Sequence, residues 1–224
     1  MDGTSKLYEE LMRELSSDCN VSALVYPGEM ILSYQQLLQM VQFMAPVKDE
    51  FVLVAESYST PLAIQYAATL PKNLKGVILC AGFASSPLRG WRKPIARLPG
   101  SILFSIPLTD FVIERFLVGA NAPESLRVDV RKAINSTRAN ALSSRLAEIL
   151  NCNVQRELSE VSVPILYIQA EEDRLIGNQC LEEMLLIKPD ICVEKIRGPH
   201  LLFQREPRRA AEIIRRFAKT VLTT

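Results

Sequence analysis

Ser57 follows an apolar run, in the stretch FVLVAESYST of residues 51–60. A helix-like pattern begins at once after it, so a sharp strand-to-helix turn would expose its hydroxyl where backbone amides can hold a developing anion. Ala55 and Ser59 take the two places at which such a turn needs small residues, which makes the stretch a variant of the G-x-S-x-G pattern. Ser57 is therefore a candidate nucleophile. A serine after a strand is also a common helix N-cap, and the motif by itself leaves both interpretations open.

A nucleophilic serine needs a base, and the base needs an acid that orients it. The only histidine of the chain, His200, lies in RGPHLLFQ, in a loop between the last predicted strand and the last helix. Asp173 ends the run PILYIQAEED and is the candidate acid, with Glu171 and Glu172 as rivals. A surface histidine and a polar turn are the plain alternatives. Serine, acid and histidine each follow a predicted parallel strand, however, and such strand ends meet at one edge of a sheet.

The elements that would position these residues alternate between strands and helices. The predicted strands are residues 20–28, 50–56, 74–83, 162–173 and 191–198. The predicted helices outside the central region are residues 5–17, 32–44, 60–70, 178–187 and 207–222. Ser33 is the candidate N-cap of the second helix. Several strands are apolar at consecutive positions, as in strands buried on both faces of a parallel sheet. The pattern predicts an α/β fold with a mostly parallel, doubly wound sheet and flanking helices.

This alternation is interrupted after Phe83. Residues 84–160 contain no strand-like run but carry helical patterns such as residues 107–119 and 139–150. The region is too apolar for a linker. We therefore predict an α/β core formed by residues 1–83 and 161–224, with residues 84–160 as an inserted helical cap.

Composition excludes several other classes of function. The net charge is +1, from 26 basic and 25 acidic residues, so no global field attracts nucleic acid or an anionic membrane. No apolar run reaches transmembrane length, and the N-terminus does not look like a signal peptide. Five cysteines without CxxC spacing indicate reduced thiols in a cytoplasmic protein, with Cys80 and Cys192 as expected core residues. One histidine argues against a structural zinc site, and no metal or other cofactor is predicted.

The chain resembles the α/β-hydrolase fold family over nearly its whole length. FVLVAESYSTPLAIQYAATLP is similar to the nucleophile strand, elbow and helix of that family, and VPILYIQAEEDRLI to its acid strand. IRGPHLLFQREPRRAAEIIRRF is similar to its histidine loop and final helix. The resemblance implies a triad of Ser57, His200 and Asp173, one oxyanion donor from the backbone amide of Tyr58, and a helical cap that shapes an acyl pocket.

The N-terminus departs from the family pattern. MDGTSKLYEEL looks like the continuation of the loop that supplies the second oxyanion amide, and the central strand before that loop is missing. Either the true start lies upstream, in which case Met1 or Asp2 supplies the second donor, or the chain is a shortened member. The loss of one such donor costs roughly 3–4 kcal/mol of transition-state stabilisation.

The favoured function is a serine hydrolase that cleaves a carboxylic ester or thioester of a small, hydrophobic acyl substrate. Serine rather than aspartate at position 57 argues against haloalkane dehalogenation. The alternatives are a catalytically weak or non-catalytic binding protein on the same scaffold, and an acyltransferase that uses the same triad.

Overall fold

Four strands form one parallel sheet at the centre of the fold. The computed structural model describes residues 3–87 and 109–223. The strands are β1 (Phe51–Glu56), β2 (Leu74–Cys80), β3 (Ile165–Ala170) and β4 (Cys192–Ile196). The helices are α1 (Glu9–Leu15), α2 (Tyr34–Met44), α3 (Thr60–Ala68), α4 (Asp110–Val112), α5 (Glu124–Asn135), α6 (Ala139–Asn151), α7 (Gln155–Glu160), α8 (Asn178–Ile187), α9 (Leu202–Arg205) and α10 (Pro207–Leu222).

The sheet is covered by helices on both faces. Alternate side chains of β2 and β3 enter two separate apolar clusters, because neighbouring residues of a strand point to opposite faces. One cluster joins the sheet to α2, α3, α7 and α8, and the other joins it to α1 and α10. The strand order is β1-β2-β3-β4, with every pair parallel. The predicted α/β fold, with a parallel sheet and flanking helices, is confirmed.

Local signals place most of the predicted elements correctly. The Ser33 side chain accepts a hydrogen bond from the backbone N–H of Gln36, and the Gln36 side chain accepts one from the N–H of Ser33. This capping box fixes the start of α2, as predicted, and such caps contribute about 1 kcal/mol to helix stability. A 3₁₀ turn, Lys6–Tyr8, precedes α1, so together they match the helix predicted over residues 5–17.

The predicted strand over residues 20–28 is wrong. These residues are described and form no strand, although several are apolar. Tyr26 donates its N–H to the carbonyl of Gly3. A strand requires a neighbour that pairs with its backbone, and none of the described strands takes that place.

The prediction that Cys192 is a core residue is also wrong, whereas Cys80 is fully buried. Cys192 is the first residue of β4, an edge strand of the described sheet, and only Ile196 of this strand is buried. An apolar pattern cannot distinguish an edge strand from a central one, because the covering of a strand depends on its neighbours.

The inserted region contains α4 to α7, and a π-helical turn, Ile113–Val118, continues α4. No named strand lies in its described part, where an isolated bridge joins Ser85 to Asn153. Residues 88–108 of the predicted cap lie outside the described residues. The domain limits at residues 84 and 160 stay a prediction. None of the described helices has the length and apolarity needed to cross a membrane.

Candidate active site

Ser57 lies at the apex of a tight turn between β1 and α3. Its φ is +53°, in the left-handed region that residues other than glycine rarely adopt, so the backbone is strained at this one residue. A 3₁₀ turn, Ser57–Ser59, leads into α3, and Thr60 Oγ1 donates a hydrogen bond of 2.8 Å to the carbonyl of Ser57. Ser57 is not an N-cap residue, because Glu56 and Ser59 hold the N-cap positions of this turn and of α3, and neither makes a capping hydrogen bond with its side chain. The hydroxyl of Ser57 is therefore available for a partner across the fold.

That partner is His200, which lies after β4 in the sequence. The distance from Ser57 Oγ to His200 Nε2 is 2.8 Å, and the distance from His200 Nδ1 to Asp173 Oδ2 is also 2.8 Å. The side chains of His200 and Asp173 are each 5% exposed. The structure thus brings together the three residues that the sequence singled out, although they are up to 143 positions apart in the chain.

The loop after β3 selects Asp173 from the three neighbouring acids. Asp173 Oδ1 accepts hydrogen bonds from the backbone amides of Leu175, at 2.8 Å, and Ile176, at 2.9 Å. Glu171 is exposed, and the exposed Glu172 forms an ion pair with Arg197 instead. With the imidazole on Oδ2 and two amides on Oδ1, the Asp173 carboxylate is held in one orientation.

A second carboxylate, which the sequence reasoning missed, lies beside the turn. Glu56 is 4% exposed and accepts hydrogen bonds from the Tyr8 hydroxyl, the Phe203 amide and the Gln204 side chain. Burial raises the pKa of Glu56, and these hydrogen bonds together with the attraction of His200 oppose that rise. The one feature of the sequence that could have indicated this carboxylate is that a charged residue directly ends an apolar run.

Three tyrosines lie around the peptide that follows Ser57, and the sequence reasoning did not identify this cluster. The Tyr34 hydroxyl donates a hydrogen bond of 2.9 Å to the carbonyl of Tyr58, and the two rings are stacked with centroids 4.9 Å apart. Tyr26 meets the Tyr58 ring edge-on, and its hydroxyl lies 2.9 Å from Ser59 Oγ. Burial raises the pKa of Tyr58, so its phenol stays neutral. The backbone that carries the amide of Tyr58 is thereby held in place.

The predicted oxyanion donors are described only in part. The amide of Tyr58 belongs to the first turn after Ser57, as expected. Met1 and Asp2 lie outside the described residues. The first described residue, Gly3, has a φ of +80° and lines the same cavity as Ser57. A Cβ at this position would lie 2.8 Å from the Cβ of Tyr26, so the close approach favours glycine.

A cavity of about 240 Å³ opens in front of Ser57 and His200. Its wall is largely apolar, and part of it comes from residues 84–160, the predicted insert. Among the described residues of that region, the apolar side chains that line the cavity are Pro87, Leu117, Val130, Ile134, Leu146 and Ile149. Among residues 3–87 and 109–223, no group of three or more His, Cys, Asp or Glu side chains could hold a metal ion. The arrangement can activate a hydroxyl beside an apolar pocket.

Comparisons of sequence find no matching family model and no matching curated protein. Comparisons of structure find many matches. A hydrolase from Oleispira antarctica has a TM-score of 0.81 at 13% identity, over 97% of this chain and 87% of the other. An esterase from Exiguobacterium antarcticum has a TM-score of 0.78 at 13% identity, over 97% and 88%. A thermophilic esterase from Thermogutta terrifontis has a TM-score of 0.70 at 17% identity, over 96% and 85%. At such low identity these likenesses concern the fold alone.

Proposed function

We propose that this chain, which has the α/β-hydrolase fold, is a serine hydrolase that cleaves a carboxylic ester or thioester of a small, hydrophobic substrate. One observation carries the proposal, namely the continuous row of hydrogen bonds from Ser57 Oγ through the His200 imidazole to Asp173. Ser57 and His200 also line an apolar cavity, which is where an acyl group would bind. The esterases among the structural neighbours are consistent with this chemistry.

In the proposed reaction Ser57 Oγ attacks the acyl carbon, and His200 Nε2 accepts the hydroxyl proton. His200 then returns this proton to the leaving alcohol or thiol, and an acyl-enzyme remains. A water molecule, activated by the same imidazole, attacks the ester carbonyl and releases the acid. The amide of Tyr58 is one donor to the oxyanion of each tetrahedral intermediate, and Met1 or Asp2 would supply the second.

Asp173 sets the tautomer that this mechanism needs. Its Oδ1 already accepts hydrogen bonds from two backbone N–H groups, so Oδ2 is the oxygen that accepts the hydrogen bond from His200 Nδ1–H. With the proton on Nδ1, the lone pair of Nε2 points to Ser57 Oγ. The carboxylate also stabilises the imidazolium that forms when Ser57 loses its proton.

The wall of the cavity favours a neutral acyl group of modest size. Leu117, Ile134 and Leu146, from the inserted region, face the same cavity as Phe83 and Ile176, from the core. Burial of apolar acyl carbons against these side chains contributes about 0.8 kcal/mol per methylene. In the proposed enzyme, residues 84–160 act as the cap that shapes this pocket.

Labelling with a fluorophosphonate tests the proposal without knowledge of the natural substrate. We expect stoichiometric labelling of Ser57, found by intact mass and peptide mapping, and its loss in Ser57→Ala and His200→Ala. Ser85→Ala is the matched control, because the Ser85 hydroxyl bonds to the carboxylate of Glu183 rather than to an imidazole. This control should be labelled like the wild type.

A panel of acyl esters and thioesters of increasing chain length then identifies the substrate class. We expect turnover of neutral, apolar acyl groups that is lost in Ser57→Ala. A folded wild-type protein that neither reacts with the probe nor hydrolyses any member of the panel would instead indicate a binding protein on this scaffold.

A further inference from the structure

Glu56 is a buried charged group to which the proposed mechanism assigns no role. It is the last residue of β1 and directly precedes Ser57, yet only 4% of it is exposed. An ionised carboxylate is costly to bury unless hydrogen bonds or opposite charges compensate for the lost water. The surroundings of Glu56 therefore indicate what the carboxylate does.

The partners of Glu56 come from two segments far away in the sequence. The Tyr8 hydroxyl donates to Oε2 at 3.0 Å, and Gln204 Nε2 donates to the same oxygen at 3.0 Å. The amide of Phe203 donates to Oε1 at 3.2 Å. An amide nitrogen can only donate, so both oxygens of Glu56 act as acceptors. This set of partners suits the ionised carboxylate.

Two of these donors follow His200 closely in the chain. Phe203 and Gln204 belong to α9, which begins two residues after His200, so Glu56 connects the residue before the nucleophile to the segment that carries the base. The attraction between Glu56 and His200 is among the interactions that oppose the raised pKa of Glu56. The two groups therefore attract each other when both are charged.

The other titratable groups near Glu56 are not the positive charge that its carboxylate attracts. Burial raises the pKa of Cys80, on β2, and the negative charges of Glu56 and Asp173 raise it further, so the thiol stays neutral. Tyr8 is engaged as a hydrogen-bond donor to Glu56. Asp173 bonds to Nδ1 of the imidazole. Among these groups, His200 is the one that becomes positively charged during the proposed reaction.

We propose that Glu56 is a positioning residue, whose carboxylate holds the His200 segment against the nucleophile turn and provides a second negative charge for the imidazolium. This inference rests on the proposed function, since the imidazolium forms only when His200 takes the proton of Ser57. Glu56 also lines the cavity in front of Ser57, but in this scheme it takes part in no bond that forms or breaks, and it acts through His200.

The single histidine of the chain makes a direct test possible, because its ring signals in an NMR titration need no assignment. We compare the wild type with Glu56→Gln, which keeps the size of the side chain and removes its charge. The midpoint of the imidazole titration should move to lower pH, because removal of a nearby negative charge makes the charged ring less favourable. An unchanged midpoint in folded Glu56→Gln would overturn the inference.

The pH dependence of ester hydrolysis provides the second readout. In Glu56→Gln the acidic limb of kcat/KM should move to lower pH together with the NMR midpoint. The plateau value of kcat should fall about tenfold with a smaller change in KM, because a charge that favours the imidazolium acts on the transition state. A purely structural role would lower activity at every pH without moving the limb, and that result would also overturn the inference.

Glu56→Asp keeps the charge and shortens the side chain by one methylene, so it separates charge from packing and serves where Glu56→Gln does not fold. We expect a midpoint close to that of the wild type and slower reaction with the fluorophosphonate. A midpoint that falls although the charge is kept would contradict the inference. The titration needs no turnover, whereas labelling of the wild type tests the proposed function, so the two proposals can fail separately.

Discussion

Asp173→Asn replaces one carboxylate oxygen by an amide group and keeps the size of the side chain. The single oxygen of the asparagine can still accept the two backbone amides that Asp173 Oδ1 accepts, from Leu175 and Ile176. Its NH₂ group then faces His200 Nδ1, where Oδ2 now lies at 2.8 Å. Nδ1 must accept this hydrogen bond, so the ring proton moves to Nε2. An Nε2–H group cannot take the proton of Ser57.

The expected loss is large because the wrong tautomer removes the base altogether. We expect kcat to fall by about 10⁴-fold, as for a triad with the wrong tautomer. This corresponds to about 5 kcal/mol of transition-state stabilisation. Initial rates with an activated ester and the rate constant of fluorophosphonate labelling measure the effect, and thermal unfolding checks the fold.

Glu172→Gln is the matched control, because this neighbouring acid pairs with Arg197 at the surface and makes no contact with the imidazole that the structure records. The control should keep the wild-type rate, since exposed ion pairs contribute about 0–1 kcal/mol. A decrease of less than about tenfold in folded Asp173→Asn would refute the assignment of Asp173 as the orienting acid.

Three further changes probe the surroundings of the site. Tyr34→Phe removes the donor to the buried carbonyl of Tyr58, so the free energy of unfolding in urea should fall by about 1–3 kcal/mol, and an unchanged value would contradict the clamp described for the nucleophile turn. Gly82→Ala places a Cβ 2.6 Å from the methyl group of Thr60, whose hydroxyl bonds to the carbonyl of Ser57 in the turn. The rate of labelling should therefore decrease, and the free energy of unfolding should fall by about 1–3 kcal/mol. Labelling at the wild-type rate would show that the turn tolerates the added methyl group. Burial raises the pKa of Cys152 to about 12. Iodoacetamide at pH 8 should therefore leave this thiol unmodified in the native protein while the exposed cysteines react. Cys152 adducts found by mass mapping would contradict this expectation.

Local patterns in the sequence were sufficient for most of the secondary structure. Consecutive apolar residues identified β1, β2 and β3, because a strand covered on both faces carries mostly apolar side chains on both faces. Ser33 and Gln36 marked the start of α2 for a reason that lies within four residues of chain. Such features depend on near neighbours, and near neighbours are visible in a sequence.

The errors concern features that depend on distant neighbours. Residues 20–28 have the composition of a strand, but a strand needs a partner, and the sequence does not say whether one lies beside it. Cys192 has the same apolar character as Cys80, but it lies on an edge strand. Burial is a property of the packed fold, so the pattern of a single segment predicts it less well than it predicts the segment itself.

The candidate site likewise has features that the sequence predicts and features that depend on distant neighbours. The sequence by itself determined which side chains could share the chemistry, since Ser57, Asp173 and the single histidine, His200, each follow a predicted strand. Only the tertiary structure decided that these residues are within hydrogen-bond distance, that Glu56 binds the distant Gln204, and that Tyr34 supports the turn from another segment. Residue type limits what a side chain can do, whereas distance, burial and the choice of hydrogen-bond partner arise when strands distant in sequence come to the same edge of the sheet.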